Sequence, residues 1–479
     1  MKTKKIFSAI LCVLLVLSVM CSCRKTPSSD SSGYYYDVSY ITTTVPGENE
    51  DGGNNEKENN TSQNITSSGN TSNNSDGGSK IDLSGTGDRF DVDLSGVTIK
   101  IMLGGKNDDW EQEIYDEFCA KTGAKIKYVS NGSSTVTEKL AALVAANDAP
   151  DGTFMDVSAS FPSYITRGLI QPVTSFINKK TDTWLAYDIM DVCKYNNEYY
   201  GITDHYWGAS YYVYYNKDII ENDINVKKTP KQLYEEGNWT WDTFFELAKT
   251  LTKKDSSNNV IQYGCLNSSQ DVFMLSAGAA AAKYDNGKFV NTLNSTAMKD
   301  AWNMHRKLSK DGYMYQANSQ SIWTNGKAAM NIYPHYTLRR SQNSEKTKSW
   351  APFNWDVVPV PSYTNGKSYT PLGAQMGVIP AKAKNPEAGA LLWLYRAYCQ
   401  ENQKTIKNEN AEQVAMFKKA VTGGSLFFSL DTAVVGTGYY KDFADSSVSL
   451  QTAIDSWSSH VDGKIVEYEK EQKQFKPKN

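Results

Sequence analysis

Residues 201–218 read GITDHYWGASYYVYYNKD. Tyr206, Trp207, Tyr211, Tyr212, Tyr214 and Tyr215 bring ring surface to one short stretch, and Asp204, His205 and Asn216 bring hydrogen-bonding groups. A core strand would be aliphatic, and a surface loop would be Gly, Asn and Ser. Rings beside polar groups suit a molecule with both an apolar face and hydroxyls. Other chemistries lack their residues. The histidines are His205, His305, His335 and His460, and there is no HExxH, CxxC pair or GxSxG motif. GGKN at 104–107 lacks the GxGxxG spacing, and NGKS at 365–368 lacks the upstream glycine of a phosphate-cradling loop. In KKDSSNNVIQYG the glycine of a calcium loop is misplaced and the closing Glu is missing, so no metal site is expected. Asp108, Asp109, Asp156, Asp204 and Asp271 could supply the two carboxylates of a glycosidase, but sequence sets no two of them across a cleft. A carboxylate also accepts two hydroxyls in an ordinary binding site.

The balance of 50 basic against 53 acidic residues in a chain of 479 gives no basic excess for nucleic acid and no polyacidic tail. The 30 tyrosines and 11 tryptophans suit a recognition surface as well as a core. At the N-terminus MKTKK precedes the apolar run IFSAILCVLLVLSVM, which has the length of an export signal rather than of a membrane span. Cys23, after the small Ser22, is the expected lipidation site, and Cys21 is the alternative. Residues 1–22 are therefore read as a lipoprotein signal peptide. Residues 23–92, rich in Ser, Asn, Gly, Thr and Asp, have little to bury and read as a disordered tether. Cys119, Cys193, Cys265 and Cys399 are too widely spaced for a metal site and read as buried free thiols.

Elements must position these residues. VTIKIML alternates as a strand; the loop GGKNDD and a helix with Trp110, Ile114 and Phe118 on one face follow, stopped by Gly123. AKIKYVS is a second strand. STVTEKLAALVAAND is a second helix, opened by a capping box of Thr135 and Glu138, and PDGTFMDVS is a third strand. Such a βαβαβ series implies a parallel sheet, with ligand loops at the carboxyl ends of its strands: GGKNDD, SNGSS and DVSAS. Further on, GNWTWDTFFELAKTLTK reads as a helix capped by Thr240, with Trp239 and Trp241 as packing residues. NPEAGALLWLYRAYCQ reads as a helix with Pro386 at its first position, and GKIVEYEKEQKQF as a polar C-terminal helix.

Four stretches in order resemble the family 1 extracellular solute-binding proteins that serve ABC importers. YGITDHYWGASYYVYYNKDII is similar to that family's YG-x-P … YYNKD signature, and TPKQLYEEGNWTWDTFFELAKTL to its P-x-T-W-x-E-L helix. IWTNGKAAMNIYPHYTLRR resembles its F-x-x-G-x-A-A-M unit. WDVVPVPSYTNGKSYTPLGAQMGVIPAKAKNPEAGALLWLYRA resembles the stretch that ends in P-E-x-A. The departures are Thr203 at the proline of YG-x-P, GAQMG in place of GG, and Tyr336, preceded by Pro334 and His335, where the family's aromatic follows.

The resemblance implies an α/β, two-lobed periplasmic-binding-protein-like fold with a hinge of crossing strands and a ligand cleft between the lobes. The expected division is lobe one at 93–205 and 374–430, lobe two at 206–373 and 431–479, with crossings near 204–210 and 373–377. It also implies a sugar ligand, whose C–H face takes rings and whose hydroxyl rim takes polar groups. Lys106, Asn107 and Asp108 would be rim contacts after the first strand, and Asp156, Ser158 and Ser160 after the third. His205, Tyr206 and Trp207 would lie at the first crossing, Gln375 and Met376 at the second, and Tyr333, His335 and Tyr336 on lobe two. Phe273 would be a stacking platform. Plainer readings stand beside these: Tyr214, Tyr215, Trp110 and Trp323 as core, and His205 and His335 as hydrogen-bonded linkers. The implied protein is a monomeric receptor without cofactor or catalysis, held to the membrane by its lipid and partnered by a carbohydrate and importer permeases. The rivals are a tethered glycan-active enzyme, a sensor, and a peptide or polyamine binder.

Overall fold

A computed structural model describes residues 89–474, apart from 104–108, 133, 206–210, 268, 286–287, 317–319, 335–349, 364–368, 372, 374, 403–409, 423–424 and 428. The expected signal peptide, Cys23 and the tether up to residue 88 lie outside the described residues. The folded body begins earlier than the expected boundary at 93. The Arg89 guanidinium pairs with the buried Asp182 carboxylate at 3.0 Å, and the Phe90 ring meets Tyr395 edge-on with 4.9 Å between centroids. Distant partners thus draw in two residues that composition alone assigns to the tether.

The first lobe follows the predicted alternation. β1 (Thr98–Leu103) buries Ile99 and Ile101, and α1 (Asp109–Thr122) buries Ile114 and Phe118. Gly123, at φ +75°, ends α1 by donating to the Cys119 carbonyl at 2.9 Å. β2 (Lys125–Ser130), α2 (Val136–Ala145) with its Thr135–Glu138 capping box, and β3 (Gly152–Asp156) complete the series. β1 pairs in parallel with β2 and with β3. β3 runs directly into the one-turn α3 (Val157–Ser160); β4 (Ile170–Gln171) and α4 (Tyr187–Val192) follow.

The second lobe is built on β5 (Tyr211–Asn216), α5 (Trp241–Leu251), β6 (Val260–Asn267), α6 (Val272–Ser276), α7 (Thr296–Lys310), β7 (Met314–Gln316), β8 (Ala328–Pro334) and β9 (Trp355–Pro359). Its sheet runs β7-β6-β8-β5-β9, with β5 antiparallel to both neighbours. Successive side chains of a strand point to opposite faces. Accordingly Tyr212 and Tyr214 pack with Trp350, Trp355 and Phe417, while Val213 and Tyr215 join the core of α5 and α7. All four are buried, so the second half of the aromatic stretch is core.

The chain then returns. β10 (Tyr369–Pro371) leads to β11 (Gln375–Pro380), which inserts antiparallel between β3 and β4 to give the order β2-β1-β3-β11-β4, and α8 (Pro386–Asn402) packs on that sheet. α9 (Ala411–Thr422) packs on β9 of the other sheet, with Gln413 Nε2 donating to the Trp355 carbonyl at 3.0 Å. The third crossing therefore falls between α8 and α9, and residues 411–422 sit on lobe two rather than on lobe one as expected. β12 (Ser425–Phe427) pairs in parallel with β10. α10 (Asp431–Val434), α11 (Tyr439–Ala444) and α12 (Leu450–Gln474) complete the core of lobe two. Cys193, Cys265 and Cys399 are buried free thiols, and Cys119 is half-buried. Among the described residues no helix is long and apolar enough to cross a membrane.

Candidate ligand cleft at the hinge between two sheets

The first two crossings lie side by side. Ile202 and Gly377 exchange both backbone hydrogen bonds at 2.9 Å. Close approach explains the glycines here. A Cβ on Gly201 would stand 2.5 Å from Met376 Cβ, and one on Gly377 would stand 2.6 Å from the Trp393 ring. Thr203, buried where the family has proline, donates its hydroxyl to the Gln375 carbonyl at 3.0 Å. Proline could not donate this bond, so the departure adds a tie between the crossings.

From this base two strand edges extend. The first sheet presents Leu103, Ser130 and Asp156 at the carboxyl ends of β1, β2 and β3, with Gln375 opposite Asp156 at the start of antiparallel β11. The second presents Gln316, Asn267 and Pro334 at the ends of β7, β6 and β8, with Tyr211 opposite Pro334. Asp156 Oδ1 accepts the Ala159 N–H at 3.2 Å and so caps α3, which also carries the buried Ser160. Asp156, Ser160 and Gln375 thus share one edge of the first sheet, and Tyr333 stands next to the terminal residue of β8 in the second. Tyr333 is buried beside Trp350, with 5.9 Å between ring centroids, and burial pushes its phenol up to about 12. Lys106, Asn107, Asp108, Tyr206, Trp207, His335 and Tyr336 lie outside the described residues, and Ser158 is described by its backbone alone.

Three expected contacts are placed elsewhere. His205 is a linker: its Nε2 meets Asp188 Oδ1 at 3.1 Å and its Nδ1 meets Glu401 Oε2 at 3.3 Å. Burial alone would lower its pKa; the two carboxylates outweigh burial and push it up to about 9, so the ring is charged at neutral pH. Burial works against the Asp188 charge as well, and the His205 contact holds that carboxyl below its ordinary range. Phe273 is core rather than a stacking platform. It is 1% exposed, with its centroid 4.4 Å from that of Trp241 and 5.4 Å from that of His305. Met376, 1% exposed, fills the space left by Gly201.

Sequence reasoning missed Asp188 and Glu401, which lie 17 and 196 residues from the histidine they hold. Of the carboxylates in lobe two, sequence reasoning weighed Asp271 only as one of a glycosidase pair and did not single out Asp431. Asp271, after β6, is half-buried, and loss of solvation, with the nearby Asp431 adding to it, pushes its carboxyl up to about 6. Asp271 accepts from the Ser269 hydroxyl. Among the described residues no cluster of His, Cys, Asp and Glu could hold a metal ion.

Over residues 104–398 the chain matches the family described as bacterial extracellular solute-binding protein. The chain belongs to that family. The diacetylchitobiose-binding protein DasA of Streptomyces coelicolor is 22% identical to it over 211 residues, 44% of this chain and 47% of the relative, so the chain spans about half the length of that curated relative. A cyclo/maltodextrin-binding protein complexed with maltotetraose superimposes with a TM-score of 0.58 at 18% identity, covering 77% of this chain and 97% of that one. An ABC substrate-binding protein of Listeria monocytogenes in complex with cycloalternan gives 0.58 at 18%, covering 77% and 98%. CpMnBP1 with mannotriose bound gives 0.57 at 16%, covering 76% and 100%. At these identities the likeness is one of fold, and the solute-binding fold is the one the two sheets and their paired crossings build.

Proposed function

We propose that the chain is a lipid-anchored, cell-surface receptor that closes its two lobes on an oligosaccharide and delivers it to an ABC importer, without catalysis. One observation carries the choice of ligand. Four proteins similar to this chain are named for, or complexed with, sugars: diacetylchitobiose, maltotetraose, cycloalternan and mannotriose. The polar turn at 156–160 and the aromatic pair Tyr206 and Trp207 in the sequence suit such a ligand, with rings for the C–H face and carboxylate, hydroxyl and amide for the rim. Lys106, Asn107, Asp108, Tyr206, Trp207, His335 and Tyr336 are the further contacts proposed. Cys23 is the proposed anchor, with the run from 24 to 88 as its tether.

A thermal-shift screen of purified protein against malto-, manno- and chito-oligosaccharides, with chromatography of the same mixtures, tests this reading. A ligand that binds the native state must raise the melting temperature. The expected result is a saturable rise with one sugar class and no new product. Shortened sugars in the mixture would instead make it an enzyme, and a response to peptides or polyamines alone would overturn the carbohydrate assignment.

A further inference from the structure

α10 is a single turn, Asp431–Val434, yet it is a segment of the second lobe that packs on α3 of the first. α3 carries the turn whose residues 156–160 are the proposed rim contacts, so what fixes α10 bears on how that turn is set. One helical turn does not hold itself, because its nucleus costs more than its few hydrogen bonds return. Asp431 supplies the hold. Its fully buried carboxylate accepts the N–H of Ala281 at 2.8 Å, the N–H of Ala282 at 3.0 Å and the Tyr439 hydroxyl at 2.6 Å. The Asp431 N–H donates to Ser429 Oγ at 3.0 Å, and its carbonyl accepts from Val435 and Gly436 at 2.8 and 2.6 Å. Removing the carboxylate would leave buried backbone donors without an acceptor, the costly way to lose a hydrogen bond.

The same site is tied to the hinge. Asp431 follows β12, which pairs with β10, the strand that leads into the second crossing. The segment from Gly278 to Ala282, which supplies the two N–H groups, touches β10 as well: a Cβ on Gly278 would stand 2.5 Å from the Tyr369 ring. The hinge strand, this segment, Asp431 and α10 thus form one continuous chain of contacts ending on α3.

We propose that Asp431 is a positioning residue for ligand capture: it fixes α10 on the second lobe, so that lobe closure sets the 156–160 turn through the α10–α3 contact. The proposal rests on the binding reading above, and two readouts separate their failures. Hydrogen exchange of ligand-free wild type and Asp431→Asn needs no ligand. The variant is expected to exchange faster at the α3 amides, with β1 and β2 unchanged. Calorimetric titration with the oligosaccharide that wild type binds best should show affinity lower by about tenfold, an ordinary size for coupling between sites. Both are measured at a temperature where circular dichroism shows the variant folded. Should Asp431→Asn not fold, Tyr439→Phe, which removes one donor and keeps the carboxylate, is expected to show the same changes at smaller size. Unchanged α3 exchange with wild-type affinity in a folded variant overturns the proposal. Absence of any carbohydrate binding by wild type overturns the binding reading and the capture role with it.

Discussion

Both lobes pack rings on rings, Phe90 on Tyr395 and Phe154 on Trp393 in the first, but they hold charge differently. In the first, charge is held in pairs: Arg89 with Asp182 and Arg396 with Glu111 at 2.9 Å are buried, and the half-buried His205 stands between Asp188 and Glu401. In the second, rings pack on rings, with Trp241 against Phe244 and Phe273, and Trp302 against Tyr440 and Phe443. The buried carboxylate of Asp431 is held there by N–H and O–H donors. A ring core answers to volume. A paired core answers to the loss of one partner and to pH. The lobe that carries the proposed 106–108 and 156–160 contacts is therefore the one held by paired charges, and His205 among them can be titrated.

The largest break should come from volume in lobe two. Trp302→Ala is expected to cost about 4 kcal/mol in urea unfolding. Trp302→Phe should cost under about 1.5 kcal/mol, because the buried indole N–H has no hydrogen-bond partner to lose. In lobe one, Arg396→Met leaves the buried Glu111 without its cation, with the Tyr115 hydroxyl still donating to it, and should cost about 3 kcal/mol. Replacing the pair together, Arg396→Met with Glu111→Leu, should recover most of that loss, and a double-mutant cycle reads the difference.

His205 comes next. Its folded-state pKa, about 9, stands above the ordinary 6.5. The stability it contributes is fully present below pH 6.5 and lost as pH rises through about 9. His205→Gln should therefore cost about 2 kcal/mol at pH 6 and nearly nothing at pH 9.5, and should flatten the fall in melting temperature between those values. The smallest effect belongs to Thr203→Val, which removes the hydroxyl bond between the crossings and should cost about 1 kcal/mol.

The first lobe was legible because its signals are local. Alternation in β1, the Thr135–Glu138 box and Gly123 each act within a few residues, and the three strands follow in order. Trp239, Trp241 and Trp323 were read as core for the same reason and are buried. What escaped depends on partners far away in the chain. α9 sits on lobe two because Gln413 and Phe417 find β9 and β5. No spacing announces that His205 will meet Glu401, and nothing in QDVFML shows that Phe273 will face Trp241 rather than the cleft. Thr203 departs from the YG-x-P pattern in the sequence, but its role depends on the nearness of Gln375, which only the folded chain supplies.

Small-angle scattering of the purified protein, with and without each oligosaccharide of the screen, tests the central claim most directly. A receptor that closes two lobes on its ligand must become more compact when that ligand is added. The expected result is a saturable fall in the radius of gyration with one class of oligosaccharide, at the concentrations that raise the melting temperature. A radius unchanged by every sugar, together with compaction by a peptide or a polyamine, would contradict it.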